Sequence, residues 1–144
     1  MFSKPCEHGI KAIIYIASKS LEGKRVKIGD IVNNSGSPEA FTAKILGALT
    51  KYGIVNSHTG PRGGFEIDLR KLKQIMMSDV IKAIEGDSVY NGCALGLSEC
   101  NKEHPCPMHD KFVTIRNDLK RMLTNTSVYD LALGLKNGKT VLMR

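Results

Sequence analysis

Between residues 28 and 69 the chain sets out an order of elements that few folds accommodate: two short amphipathic helices joined at a glycine, then a glycine-rich hairpin. Ile28, Ile31 and Val32 mark the first helix, which stops before Ser35-Gly36. The second starts on three agreeing signals: Ser37 as N-cap, Pro38 at the first helical position, and Glu39 against the helix dipole. Phe41, Ile45, Leu46 and Leu49 supply its buried stripe, and Gly53 is placed to end it. Residues 54–57 read as a strand, Gly60-Pro61-Arg62-Gly63-Gly64 as a tight loop, and Phe65, Ile67 and Leu69 as an alternating second strand. This order predicts a winged helix-turn-helix whose second helix enters a DNA major groove. The candidate groove residues are Ser37, Pro38, Glu39, Ala40, Thr42, Ala43 and Lys44. Arg62, Gly63 and Gly64 form the candidate wing tip, where glycines let the backbone approach and a guanidinium suits a phosphate or a narrow minor groove.

The flanking segments complete a mostly α chain with one small β-wing. Ile10, Ile13, Ile14, Ala17 and Leu21 recur at helical spacing behind Pro5 and Glu7, which predicts a first helix over 5–20, ended by Gly23. Met77, Val80, Ile81 and Ile84 mark another up to Gly86, and 87–106 read as a loop rich in glycine, asparagine and cysteine. Pro107 then opens a long helix. Along it Met108, Phe112, Ile115, Leu119 and Met122 are spaced four, three, four and three, a seam suited to a partner helix. In a chain of 144 residues such a helix has little else to bury against, so a homodimer is expected. Ser127 and Asp130 cap a last helix over 128–135. The expected division is a DNA-binding region over 1–70 and a cysteine-loop sensor and dimerisation region over 71–144.

Twenty-one lysines and arginines against 14 aspartates and glutamates give a formal net charge of +7, which favours double-stranded DNA or another polyanion as partner. The longest apolar run, 12–17, is far too short for a membrane span, and the amino terminus lacks the plan of a secretory signal. The expected location is the cytoplasm, with no membrane partner. Disulfide frameworks are rare there, so Cys93-x6-Cys100-x5-Cys106-x2-His109 reads as a metal or redox site. Three thiolates and an imidazole form a complete ligand set for zinc or an iron–sulfur cluster, and the wide gaps suit the larger group. Cys6, alone on the first helix beside Glu7, reads as an inert thiol ahead of a spare ligand or a redox partner, and His58 and His104 as solvent-facing.

Nearly the whole chain resembles the Rrf-type winged-helix transcriptional regulators, the group that contains the iron–sulfur regulator IscR and the nitric-oxide sensor NsrR. The residues carrying the resemblance are His8-Gly9-Ile10-Lys11-Ala12-Ile13-Ile14-Tyr15-Ile16-Ala17, Tyr52-Gly53-Ile54-Val55, Gly60-Pro61-Arg62-Gly63-Gly64-Phe65, residues 78–86 and the three-cysteine loop. The resemblance implies a homodimer on a pseudo-palindromic operator, crossed long helices, and a 2Fe–2S or 4Fe–4S cluster on Cys93, Cys100 and Cys106. The fourth ligand it implies is either a histidine matching His109, the preferred choice, or an acidic residue of the partner subunit's first helix, matching Glu7. Ala43, Ala48 and Thr50 stand where relatives often carry charged or long polar side chains. Phosphate contacts are therefore expected to shift toward Lys4, Lys11 and Arg62.

Three functions compete. One is a DNA-binding regulator sensing iron–sulfur, nitric oxide or redox status through the cluster. Another is a winged-helix regulator whose loop binds zinc or nothing and which a metabolite or partner protein controls. The last is a cysteine oxidoreductase with Cys93 or Cys106 as nucleophile and His109 as base, disfavoured because the chain has no C-x-x-C motif and no cofactor fingerprint.

Overall fold

Ser3 opens the first helix two residues before Pro5, because its hydroxyl accepts from the Cys6 backbone N–H at 3.2 Å. The helix, α1 (Lys4–Ser20), is the axis of the computed structural model, which describes residues 2–144. Residues 12–18 of α1 are buried on every side, as expected of a helix with neighbours all round. Those neighbours are α2 (Ile28–Ser35), α3 (Glu39–Lys51), α4 (Met77–Glu85) and α7 (Val128–Lys136).

The α2–α3 turn is made by Gly36, whose φ of +68° only glycine adopts without strain. Two expectations for α3 are corrected. Pro38, not Ser37, is its N-cap, because the Ser37 hydroxyl turns inward to His8 Nδ1 at 2.8 Å. The buried stripe is Thr42, Ile45, Leu46 and Leu49, with Phe41 left 45% exposed on its flank. A threonine is accepted in that stripe because its Oγ1 donates to the Pro38 carbonyl at 2.8 Å.

The wing is an antiparallel pair, β1 (Asn56–His58) and β2 (Gly64–Glu66), shorter than expected. Ile67 leaves the strand to enter the core, and Leu69 is exposed. A third segment steadies this hairpin: Val26 exchanges two backbone hydrogen bonds with Phe65, at 3.1 and 2.7 Å. That approach dictates Gly64, at φ +125°, since a Cβ there would lie 2.7 Å from the Val26 carbonyl oxygen.

Beyond α4, the segment expected to be all loop contains α5 (Ser88–Asn91), and the long helix, α6 (His109–Asn125), begins two residues after Pro107. The Ser127 hydroxyl caps α7 by accepting from Asp130 N–H at 3.1 Å. The α6–α7 junction is stitched to the start of α4 by Met77 N–H to Thr126 O at 2.8 Å and Val128 N–H to Ile75 O at 2.9 Å. Val128 and Ala132 share the core of Ile13, Ile16 and Leu49, so the second half of the chain packs back onto the first. Among the described residues no helix is long and apolar enough to cross a membrane.

Candidate DNA-binding face and cysteine loop

On α3 and the turn before it, Pro38, Glu39, Ala40, Ala43 and Lys44 are exposed. Ser37 and Thr42 are buried and both hydroxyls are engaged internally, so they leave the set of candidate groove residues and act by shaping the turn. Lys11 is half-buried on α1. Arg62 is exposed at the wing tip, beside the half-buried Gly63 and Gly64. A Cβ on Gly63 would come within 2.6 Å of the His58 carbonyl oxygen, so both wing glycines answer to backbone crowding.

His58, expected in solvent, is tied into the wing: its Nε2 lies 2.9 Å from Glu66 Oε1, while Arg25 Nε lies 3.3 Å from Glu66 Oε2. Partial burial pushes the Glu66 carboxyl up, but hydrogen bonds and charge from Arg25 and His58 outweigh it and hold the group below its ordinary range. Nothing in the local sequence around Arg25 marks this role. His104 is exposed, as expected.

The cysteine loop lies against the start of α6. His109, the first residue of that helix, is buried, and its Nδ1 lies 3.3 Å from Cys100 Sγ. Backbone N–H groups of Leu97, then Leu95, hold the Cys93 thiol below its ordinary value, with Cys106 adding in the same direction. The three thiols are half-buried. Sequence reasoning missed Arg116, one face of α6 with His109 and two turns on. Its guanidinium donates to Cys100 Sγ at 3.0 Å and to the Gly92 carbonyl at 2.8 Å, and its Nε is buried without a partner among the described residues. Arginine here fastens loop to helix, and only the folded path of the chain brings the two together.

The donor chemistry of this loop fits a soft metal group, since it offers three thiols and an imidazole, with Cys100 and His109 already in contact. Among the described residues no three such groups converge on one point. Glu7 pairs instead with Lys4 at 3.0 Å, and the lysine's hydrogen bond holds its carboxyl below the usual range. Cys6 is fully buried beside Glu85, and burial, then the Glu85 charge, pushes its thiol up to about 12, in keeping with an inert group.

The winged helix and the docked loop lie within the span that matches the Rrf2 model, described as an iron-dependent transcriptional regulator, over residues 2–133. The chain belongs to the Rrf2 family. This Rrf2 chain is 28% identical over 133 residues to a protein of Aquifex aeolicus provisionally named an HTH-type transcriptional regulator, with 91% of this chain and 90% of that one covered. It is 25% identical over 124 residues to the HTH-type transcriptional regulator IscR of Photorhabdus laumondii, covering 86% and 74% of the two chains. Its fold is similar to that of CymR, the global cysteine regulator of B. subtilis, with a TM-score of 0.72, 22% identity and coverage of 92% and 96%. The IscR of T. potens superposes with a TM-score of 0.73 at 17% identity, covering 98% and 92%. The Rrf2 chain is thus a transcriptional regulator and not an enzyme, and the oxidoreductase alternative falls.

Proposed function

We propose that this regulator binds a pseudo-palindromic DNA operator as a cytoplasmic homodimer and reads iron–sulfur, nitric-oxide or redox status through a cluster on Cys93, Cys100, Cys106 and His109. The observation that carries this reading is the docking of the cysteine loop on α6 by His109 and Arg116. DNA contact falls to Pro38, Glu39, Ala40, Ala43 and Lys44 on the groove side and to Arg62 on the wing, with Lys11 as an accessory phosphate contact. The division of labour is winged helix over 1–70 and sensing with dimerisation over 71–144, on one shared core.

The loop residues are suited to ligation in different ways. Cys93 has its anionic form stabilised by backbone N–H groups, and His109 sits on a helix that fixes its ring beside Cys100. Arg116 supplies a positive charge next to a sulfur that becomes anionic as a ligand. The cluster, when bound, supplies one-electron redox chemistry and a target for nitric oxide or oxidants.

A second reading has a specific observation in its favour: Cys100 is held by His109 and Arg116, and among the described residues no three ligand-type groups converge. In that reading the loop is structural or binds zinc, and a metabolite or a partner protein controls DNA binding. Anaerobic purification followed by iron, sulfide and zinc analysis separates the two. The cluster reading expects a brown protein with stoichiometric iron and sulfide that is lost in Cys100→Ser. Colourless protein after reconstitution, with zinc or no metal, overturns it.

A further inference from the structure

A glycine-rich tip on a hairpin of three residues per strand has little intrinsic order. An arginine on such a tip gives up much conformational freedom when it binds DNA. Here the tip is restrained from outside the hairpin. Arg25, in the connection between α1 and α2, donates from one guanidinium nitrogen to the backbone carbonyl of Arg62 at 3.0 Å. Its Nε meets Glu66 Oε2 at 3.3 Å, and the other oxygen of that carboxylate receives His58 Nε2 at 2.9 Å. One planar fork thereby joins the tip, the last residue of β2 and, through Glu66, the end of β1. Val26, the next residue, is bonded to Phe65 on both sides, which fixes the backbone from which Arg25 reaches.

We propose that Arg25 is a positioning residue for DNA recognition, holding the wing tip so that Arg62 is presented to the duplex already ordered. The inference rests on the reading that Arg62 contacts DNA. Arg25 acts on the Arg62 backbone and leaves the Arg62 side chain free, which a competitor for the same phosphate would not do. An exposed ion pair of this kind adds little to global stability, so its effect belongs to the order of the tip. Lysine cannot replace it, because an ammonium on a flexible stem lacks the fork that reaches two acceptors in fixed geometry.

The test is a double-mutant cycle on the full chain: wild type, Arg25→Ala, Arg62→Ala and the double variant, with Arg25→Lys alongside. The probe is a duplex recovered with wild-type protein from a randomised pool, titrated at several salt concentrations. Hydrogen exchange of residues 60–64 and the thermal midpoint are measured on the free proteins. If Arg25 positions Arg62, each single variant weakens binding about fivefold and lowers the salt slope by about one. The double variant is then no worse than Arg62→Ala, Arg25→Lys behaves like Arg25→Ala, and tip exchange rises with an unchanged midpoint. Multiplying effects with a slope loss of about two, or full rescue by lysine, mean that Arg25 contacts phosphate itself and overturn the proposal. Weakening by Arg62→Ala but not by Arg25→Ala overturns it while leaving the wing reading intact. If Arg62→Ala itself changes nothing, the wing reading and the proposal fall together.

Discussion

At the scale of single residues, the environment around Cys6 makes it the opposite of the loop cysteines. It is fully buried and its thiol is raised from 9.0 to about 12, chiefly by burial and then by Glu85. A raised folded value means that the native state holds the proton more tightly, so this contribution to stability is whole below pH 9 and is lost as pH rises toward 12. Urea midpoints measured from neutral to alkaline pH are expected to fall less steeply for Cys6→Ala than for wild type. Equal slopes would show that Cys6 does not titrate differently on folding. In apo protein at neutral pH, iodoacetamide is expected to label Cys93 well before Cys6, read by peptide mass mapping. Gly64 is the other residue with a sharp expectation. Alanine there keeps a φ of +125° and meets the Val26 carbonyl, so Gly64→Ala should cost about 1–3 kcal/mol in denaturant unfolding. A loss within a few tenths would mean that the Val26 bridge is dispensable.

Among the longer helices, α6 is the one its own chain covers least. Only His109 and Leu123 of its residues are buried, while Ile115 is 48% and Met122 52% exposed. An open cleft of about 530 Å³ lies along it between Val89, Cys93, Phe112, Ile115, Arg116 and Leu119. An apolar stripe this long on a 17-residue helix needs a partner or invites aggregation. Ile115→Lys is accordingly expected to sediment as a monomer with its helical content kept, whereas Leu123→Ala, within the chain's own core, should cost about 2–4 kcal/mol of stability. A dimer that persists in Ile115→Lys would place the interface elsewhere.

For the whole molecule, the consequence is a physical route between the two halves. The loop is fastened to α6, the α6–α7 junction is bonded to the start of α4, and α4 and α7 both pack on α1, which carries α3. Ligation at the loop has a free energy that can favour one arrangement of this chain of contacts over another. Couplings of this type are commonly about 1–3 kcal/mol, so cluster-loaded and apo protein should differ about 5- to 150-fold in operator affinity. Cys100→Ser should follow the apo form. The comparison is made at one salt concentration, because phosphate contacts make every affinity salt-dependent. Agreement of all three forms within about twofold would remove the cysteine loop as the switch.

Apart from the short α5, the sequence alone determined the element order, the helix–turn–helix and the hairpin, because caps, apolar periodicity and turn glycines are local signals, while the family showed as a resemblance in its motifs. It also marked His109 and the three cysteines, since ligand-type side chains stand out by spacing. It misplaced what depends on neighbours far along the chain. Ser37 has the chemistry of an N-cap, but His8 claims its hydroxyl. Phe41 is apolar enough for the core, but Thr42 sits nearer the centre of the buried face and can satisfy its own hydroxyl. Arg25 and Arg116 are two among many basic residues until the fold sets one against a carbonyl 37 positions away and the other against a cysteine 16 positions away. Such pairings rest on where the packed core directs the backbone, and only the tertiary structure decides that.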